Sequence, residues 1–195
     1  MYIPTNMDNI KIIGITGKKF SGKDTLGNYF VEKYGFEKIA YADTLKEAVR
    51  VIFDFDDEQL YGNKKEILDD FWKITPRQAL QFIGTDLFRN HIHELIPDIK
   101  KDIWIWVVKR KIASQLKKNP NKKFVITDIR FPDELQAVKD LGGITIKIQR
   151  DNISCDAHES EILIDNLETE YVFVNNKTKD DLYKCVIDVL NTKKI

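Results

Sequence analysis

The sequence predicts an α/β three-layer sandwich: a five-stranded parallel sheet with helices on both faces and a helical insertion. Three observations carry this. The apolar run Ile10-Lys11-Ile12-Ile13-Gly14-Ile15 feeds a glycine-bracketed loop that opens a helix. Short apolar runs recur at 124–127, 144–148 and 171–175, separated by segments of helical period. Acidic and basic residues fall just after those runs, where an open parallel sheet places its ligand chemistry.

The loop is Gly17-Lys18-Lys19-Phe20-Ser21-Gly22-Lys23-Asp24-Thr25. Gly17 and Gly22 admit backbone angles that turn several N–H groups toward one anion, Lys23 supplies a mobile positive charge, and the helix start adds its dipole. This residue order binds the phosphates of a nucleoside triphosphate, with Phe20 and Ser21 inside the cradle. The general pattern wants Ser or Thr after the lysine as a magnesium ligand. Asp24 stands there, followed by Thr25, and a carboxylate in the first helical turn suits both the dipole and a metal.

In chain order, apolar Leu26, Tyr29, Phe30 and Tyr34 predict a helix over 24–34, ended by Gly35. A short strand is expected over 36–42, then a helix over 45–53 capped by Asp43-Thr44, with Lys46 in its first turn. Residues 54–73 read as an acidic helical insertion with a mobile join. Thr75-Pro76-Arg77-Gln78 is a capping box that starts a helix reaching about residue 88. Arg77, beside Gln81, fits either an anion site or a solvent-facing residue. His91 and His93 are expected in a polar turn, and 99–118 in a helix whose Trp104 and Trp106 pack into the core.

The strand at 124–127 ends in Asp128-Ile129-Arg130. Asp128 is placed to meet magnesium, and Arg130 to project into the same crevice. A helix over 132–141 closes at Gly142-Gly143. The strand at 144–148 is followed by Arg150 and a polar loop over 151–161. The strand at 171–175 precedes a last helix capped by Thr178-Lys179-Asp180-Asp181. Residues 1–9 read as a tail and 10–195 as one domain, with 54–118 as its helical substrate region and 150–162 as a lid-like loop.

Composition narrows the function class. Thirty-one basic residues balance 31 acidic ones, so there is no excess positive field of the kind a general DNA or RNA binder needs. Two cysteines make no disulfide framework and fit a reducing, cytoplasmic setting. No apolar run has the length of a membrane helix, and no polymeric nucleic acid or membrane is expected as a partner. Lys19, Lys46, Arg77, Arg130 and Arg150 are more cations than hydrolysis alone requires. They suit transfer of a γ-phosphoryl group onto a second phosphate, with Lys23, Arg130 and Asp128 as the catalytic candidates.

GKKFSGKDT, YADTLK, TPRQALQFIGTD, ITDIRFPDE and HESE, in that order, resemble the deoxynucleoside monophosphate kinases of bacteriophages and large DNA viruses. The resemblance implies a P-loop kinase that uses ATP and magnesium at residues 17–25, with Asp24 native to the pattern. It implies contacts to a deoxynucleoside monophosphate near Lys19, Lys46, Arg77, Gln81 and Arg130. Arg150 and the segment through His158 and Glu161 would close the site. Monomer and homodimer both stay open. Animal-type phosphomevalonate kinases share the SGKD loop and the strand-Asp-x-Arg and are the alternative, followed by a non-catalytic nucleotide-binding module. Asn176-Lys177-Thr178-Lys179-Asp180 has one residue too many before the acid for a guanine-reading motif, which disfavours a GTP switch.

Overall fold

A computed structural model describes residues 9–151 and 163–192. The described chain forms two compact units. One comprises the chain up to Ala40 and from Lys111 onward, the other Tyr41–Arg110.

The first unit is built on a five-stranded sheet of β1 (Ile12–Thr16), β2 (Phe36–Ile39), β3 (Lys123–Ile129), β4 (Ile144–Gln149) and β5 (Tyr171–Val174). Its order is β2-β3-β1-β4-β5, and every pairing is parallel. All five residues of β1 are buried, as a central strand covered on both faces requires. Helix α1 (Lys23–Tyr34) packs with the last helix, α8 (Lys179–Thr192), where Tyr29 stacks on Tyr183 with ring centroids 3.9 Å apart. Leu26, Phe30, Ile146, Phe173, Val186 and Leu190 lie in one core with them. Helix α7 (Pro132–Asp140) presses Val138 against the sheet at Gly14.

Between β1 and β3 the register slips: Gly14 pairs with Ile126 but Thr16 with Ile129, leaving one extra residue in β3 where Asp128 stands. The Thr16 hydroxyl closes the step by donating to the Ile129 carbonyl at 2.8 Å. This is also where the chain order reverses, since β1 leads through α1 to β2 while β3 leads through α7 to β4. Open parallel sheets bind ligands at such a point.

The second unit holds α2 (Tyr41–Phe53), α3 (Asp57–Leu60), α4 (Pro76–Gln81), a π-helical stretch (Phe82–Arg89) and α5 (Asn90–Leu95), and α6 (Ile103–Lys118) starts within it. Val49, Phe55, Leu60, Ala79 and Ile83 form its core. The capping box at Thr75 is present, with the Gln78 N–H donating to Thr75 Oγ1 at 3.1 Å and the Thr75 N–H to Gln78 Oε1 at 2.8 Å.

Several expectations are corrected here. β2 stops at Ile39 and α2 starts at Tyr41, so Asp43 and Thr44 lie inside the helix and Lys46 in its second turn, where the dipole opposes it less. The buried Tyr41 ring in the first turn gives the helix its earlier start. Residues 54–73 are mostly not helical: beyond α3 and the short 3₁₀ turn Asn63–Glu66, Asp69 pins the chain by accepting from the Phe71 and Trp72 N–H groups. The helix begun at Pro76 widens to π geometry instead of ending near residue 88, and His91 and His93 lie in α5, with His91 Nδ1 2.8 Å from Glu94. Lys100, at φ +54° and ψ −115°, is not helical, and α6 starts only at Ile103. Trp104 is half-buried and donates to the Gly84 carbonyl at 3.0 Å, whereas Trp106 is exposed and not in the core.

Candidate active site

The loop after β1 is shaped by its own backbone. The Ser21 N–H donates to the Lys18 carbonyl at 3.1 Å, and the Leu26 N–H to the Gly22 carbonyl at 3.0 Å, which starts α1. Gly22 sits at φ +102°, a left-handed angle that side chains resist. A Cβ at Gly17 would lie 2.5 Å from Ser21 Oγ and 2.6 Å from the Ile148 carbonyl oxygen, so only glycine fits. Lys23 Nζ reaches back to the Lys18 carbonyl at 3.4 Å. Lys23 is mostly buried, so its charge is held at the loop and not dispersed into solvent.

The Ser21 side chain is fully buried, yet its hydroxyl has no hydrogen-bond partner among the described residues. A buried hydroxyl left so is costly, and a phosphate oxygen in the cradle is the acceptor that would satisfy it. On this observation the loop fits a nucleotide.

Asp24 is engaged from two sides. Lys38 Nζ of β2 donates to Asp24 Oδ1 at 2.9 Å and to Asn28 Oδ1 at 3.4 Å, and the Thr127 hydroxyl of β3 donates to Asp24 Oδ1 at 3.4 Å. Partial burial works to raise this carboxyl, but the Lys38 hydrogen bond and the charges of Lys38 and Lys23 outweigh it and hold Asp24 below its ordinary range. Asp24 therefore stays ionised at neutral pH, as a metal ligand must.

A cleft of about 610 Å³ opens beside the loop, lined by Lys19, Phe20, Gly22, Lys23, Asp24 and Thr25 together with Arg150, Asn175, Lys177 and Thr178. The structure thus brings Arg150 to the loop. Asp128 is half-buried in the β3 bulge, and Arg130 is exposed just beyond the strand. The buried Glu134 fixes that turn by accepting from the Arg130 N–H at 2.8 Å and the Phe131 N–H at 3.2 Å.

Lys46, Arg77 and Gln81 belong to the 41–110 unit. There Lys46 Nζ lies 4.1 Å from the Tyr61 ring centroid, Arg77 Nε donates to Glu66 Oε1 at 2.7 Å, and Gln81 is exposed. His158 and Glu161 lie outside the described residues. Reading the sequence missed Lys38, Asn175, Lys177 and Thr178. The polar run that follows an apolar strand at 175–178 is the signal that marks the last three, whereas nothing local marks Lys38, which meets Asp24 only because β2 lies next to β3.

A phosphate cradle at the switch point of a parallel sheet, with a lysine on the loop and an ionised carboxylate beside it, defines a P-loop enzyme that uses nucleotides. The family model for deoxynucleotide monophosphate kinase matches residues 50–186. The chain is 38% identical over 185 residues to an Acanthamoeba polyphaga mimivirus protein named as a deoxynucleotide monophosphate kinase, covering 92% of this chain and 96% of that one. The chain belongs to the deoxynucleotide monophosphate kinase family. It is also 35% identical over 85 residues to the deoxynucleoside-5'-monophosphate kinase of Escherichia phage T5, 43% of this chain and 29% of that protein. Among solved structures, dephospho-CoA kinase from Campylobacter jejuni is similar at 18% identity and a TM-score of 0.47, over 92% of this chain and 94% of that one. No helix among the described residues is long and apolar enough to cross a membrane.

Proposed function

We propose that this kinase transfers the γ-phosphoryl group of ATP to a deoxynucleoside monophosphate, giving the diphosphate and ADP. The observation that carries this reading is the cleft in which Lys19, Lys23 and Arg150 stand around a backbone cradle whose buried Ser21 hydroxyl lacks a partner among the described residues. The loop amides and Lys23 bind the β- and γ-phosphates, and Lys23 stabilises the charge that develops as the phosphoryl group moves. Arg150 and Lys19 hold the triphosphate at the mouth of the cleft. Asp24 and Asp128 are the residues that would hold magnesium, which when bound neutralises charge on the phosphates.

The acceptor is itself a phosphate monoester, already a nucleophile at neutral pH, so no side chain has to remove a proton. Arg130 is the residue of the sheet-bearing unit assigned to the acceptor, Lys46, Arg77 and Gln81 are the candidates carried by the 41–110 unit, and His158 and Glu161, outside the described residues, are assigned to it by the resemblance alone. The work is done in the cytoplasm on a small-molecule substrate. The test is ADP release from ATP and magnesium in a coupled assay, with dAMP, dGMP, dCMP, dTMP, dUMP, the ribonucleotides and phosphomevalonate as acceptors. Acceptor-dependent ADP formation with one or more of the deoxynucleotides is expected; formation with phosphomevalonate alone overturns the acceptor assignment.

A further inference from the structure

We propose that Asn175 is a positioning residue for the phosphate-binding loop, its side-chain amide fixing the peptide between Ser21 and Gly22 so that the Gly22 N–H is presented to phosphate. Asn175 Nδ2 donates to the Ser21 carbonyl oxygen at 2.8 Å, across 154 residues of sequence. A trans peptide is planar, with its C=O and N–H on opposite sides. Drawing the Ser21 carbonyl toward Asn175 therefore turns the Gly22 N–H away from it. A peptide free to flip would instead offer its carbonyl oxygen to the anion for part of the time, which repels phosphate.

Two further contacts make the clamp rigid. A Cβ on Gly22 would come within 2.4 Å of Asn175 Nδ2, so the amide lies directly against the glycine backbone. Asn175 is itself anchored, its N–H donating to the Gln149 carbonyl at 2.7 Å at the end of β4. The next residue braces the same turn: Asn176 Nδ2 donates to Asp151 Oδ2 at 2.6 Å, and Asn176 Oδ1 accepts from the Asp151 N–H at 2.9 Å. The stretch that resembles a guanine-reading motif is thus employed otherwise. Asn176 is turned to Asp151, and Asn175 addresses the loop. Donors fixed before the anion arrives need no reorganisation on binding, which is where their advantage lies.

This inference rests on the reading of residues 17–25 as the phosphate site, and inorganic tripolyphosphate separates the two, because it has no base or sugar. Calorimetric titration of the wild type, Asn175→Ala and Asn175→Asp with tripolyphosphate and with ATP is the experiment, alongside steady-state kinetics. Asn175→Ala is expected to weaken both ligands by the same factor, about ten-fold for one lost hydrogen bond, raising KM for ATP while KM for the acceptor holds. Asn175→Asp keeps the shape but sets an ionised acceptor against the Ser21 carbonyl. Its loss is larger and is recovered, relative to the wild type, as pH falls and the carboxyl regains a proton to donate. Loss of ATP affinity with tripolyphosphate affinity intact would make Asn175 a reader of base or sugar and overturn the clamp. Wild-type affinities in both variants at every pH would also overturn it. A wild type that binds neither ligand takes the phosphate-loop reading down as well. Should Asn175→Ala not fold, the pH dependence of Asn175→Asp decides.

Discussion

In the unit that carries residues 17–25, the groups set for phosphate are backbone amides and Lys23, with Lys19 and Arg150 at the same cleft, and the loop is held by turn hydrogen bonds, two glycines and the Asn175 amide. In the 41–110 unit the cations assigned to the acceptor are side chains with local partners: Arg77 on Glu66 and Lys46 over Tyr61. That unit also leaves large apolar side chains in solvent, with Val51, Phe71 and Leu95 each about four-fifths exposed. The difference teaches where each kind of specificity resides. On the proposed reading of residues 17–25, triphosphate binding rests first on backbone shape, which a few residues dictate locally. On the proposed assignment, acceptor binding depends on side chains that would exchange one partner for another, so it is set by the frame that carries them.

The sharpest test of the contrast is Lys23→Ala, which removes the mostly buried side-chain charge held at the cradle. Turnover should fall by about a thousand-fold or more, and near-normal ADP release in the coupled assay would refute the site. Leu60→Ala probes the other side. Leu60 is fully buried in the core of the 41–110 unit, so truncation should cost roughly 2–5 kcal/mol of stability. KM for the acceptor should rise while calorimetry at 25 °C still finds tripolyphosphate bound. Arg130→Ala removes charge-assisted hydrogen bonds of the acceptor and should lower acceptor kcat/KM by roughly ten- to a hundred-fold. ATP affinity should barely move; equal losses in both would make Arg130 structural.

The smallest effect belongs to Lys38→Met. Much of Asp24 reaches solvent, so losing the pair should cost under about 1 kcal/mol at pH 7. The folded protein holds Asp24 below its ordinary range, so the pair stabilises above the unfolded carboxyl's value of about 4 and is lost as pH falls through the lower, folded value. Urea unfolding should therefore show the gap between wild type and variant closing in acid. A gap that persists there would assign the effect to packing.

Much of the first unit is legible in the chain. The loop at 17–25 needs only glycine, lysine and a flanking strand, all contiguous; the strands legible at 124–127 and 144–148 are buried apolar runs, and the one legible at 171–175 alternates buried and exposed residues over Tyr171–Val174. The Thr75 cap is legible for the same reason, because both partners of its reciprocal hydrogen bonds lie within four residues. The 41–110 unit is less so. Asp43-Thr44 has the chemistry of a cap, yet burial of Tyr41 moves the helix start upstream, and the helix after Pro76 takes π geometry where Trp104 reaches the Gly84 carbonyl.

By itself, the sequence determined the phosphate cradle, the parallel sheet and the acid and cation at strand ends, because short-range backbone sterics and apolar period decide those. Only the tertiary structure decided that Lys38 holds Asp24, that Arg150 joins the loop's cleft and that Asn175 clamps the Ser21 carbonyl. Each of these contacts depends on which strands the parallel crossovers set side by side, and residues 154 apart carry no mark in the chain that they will meet.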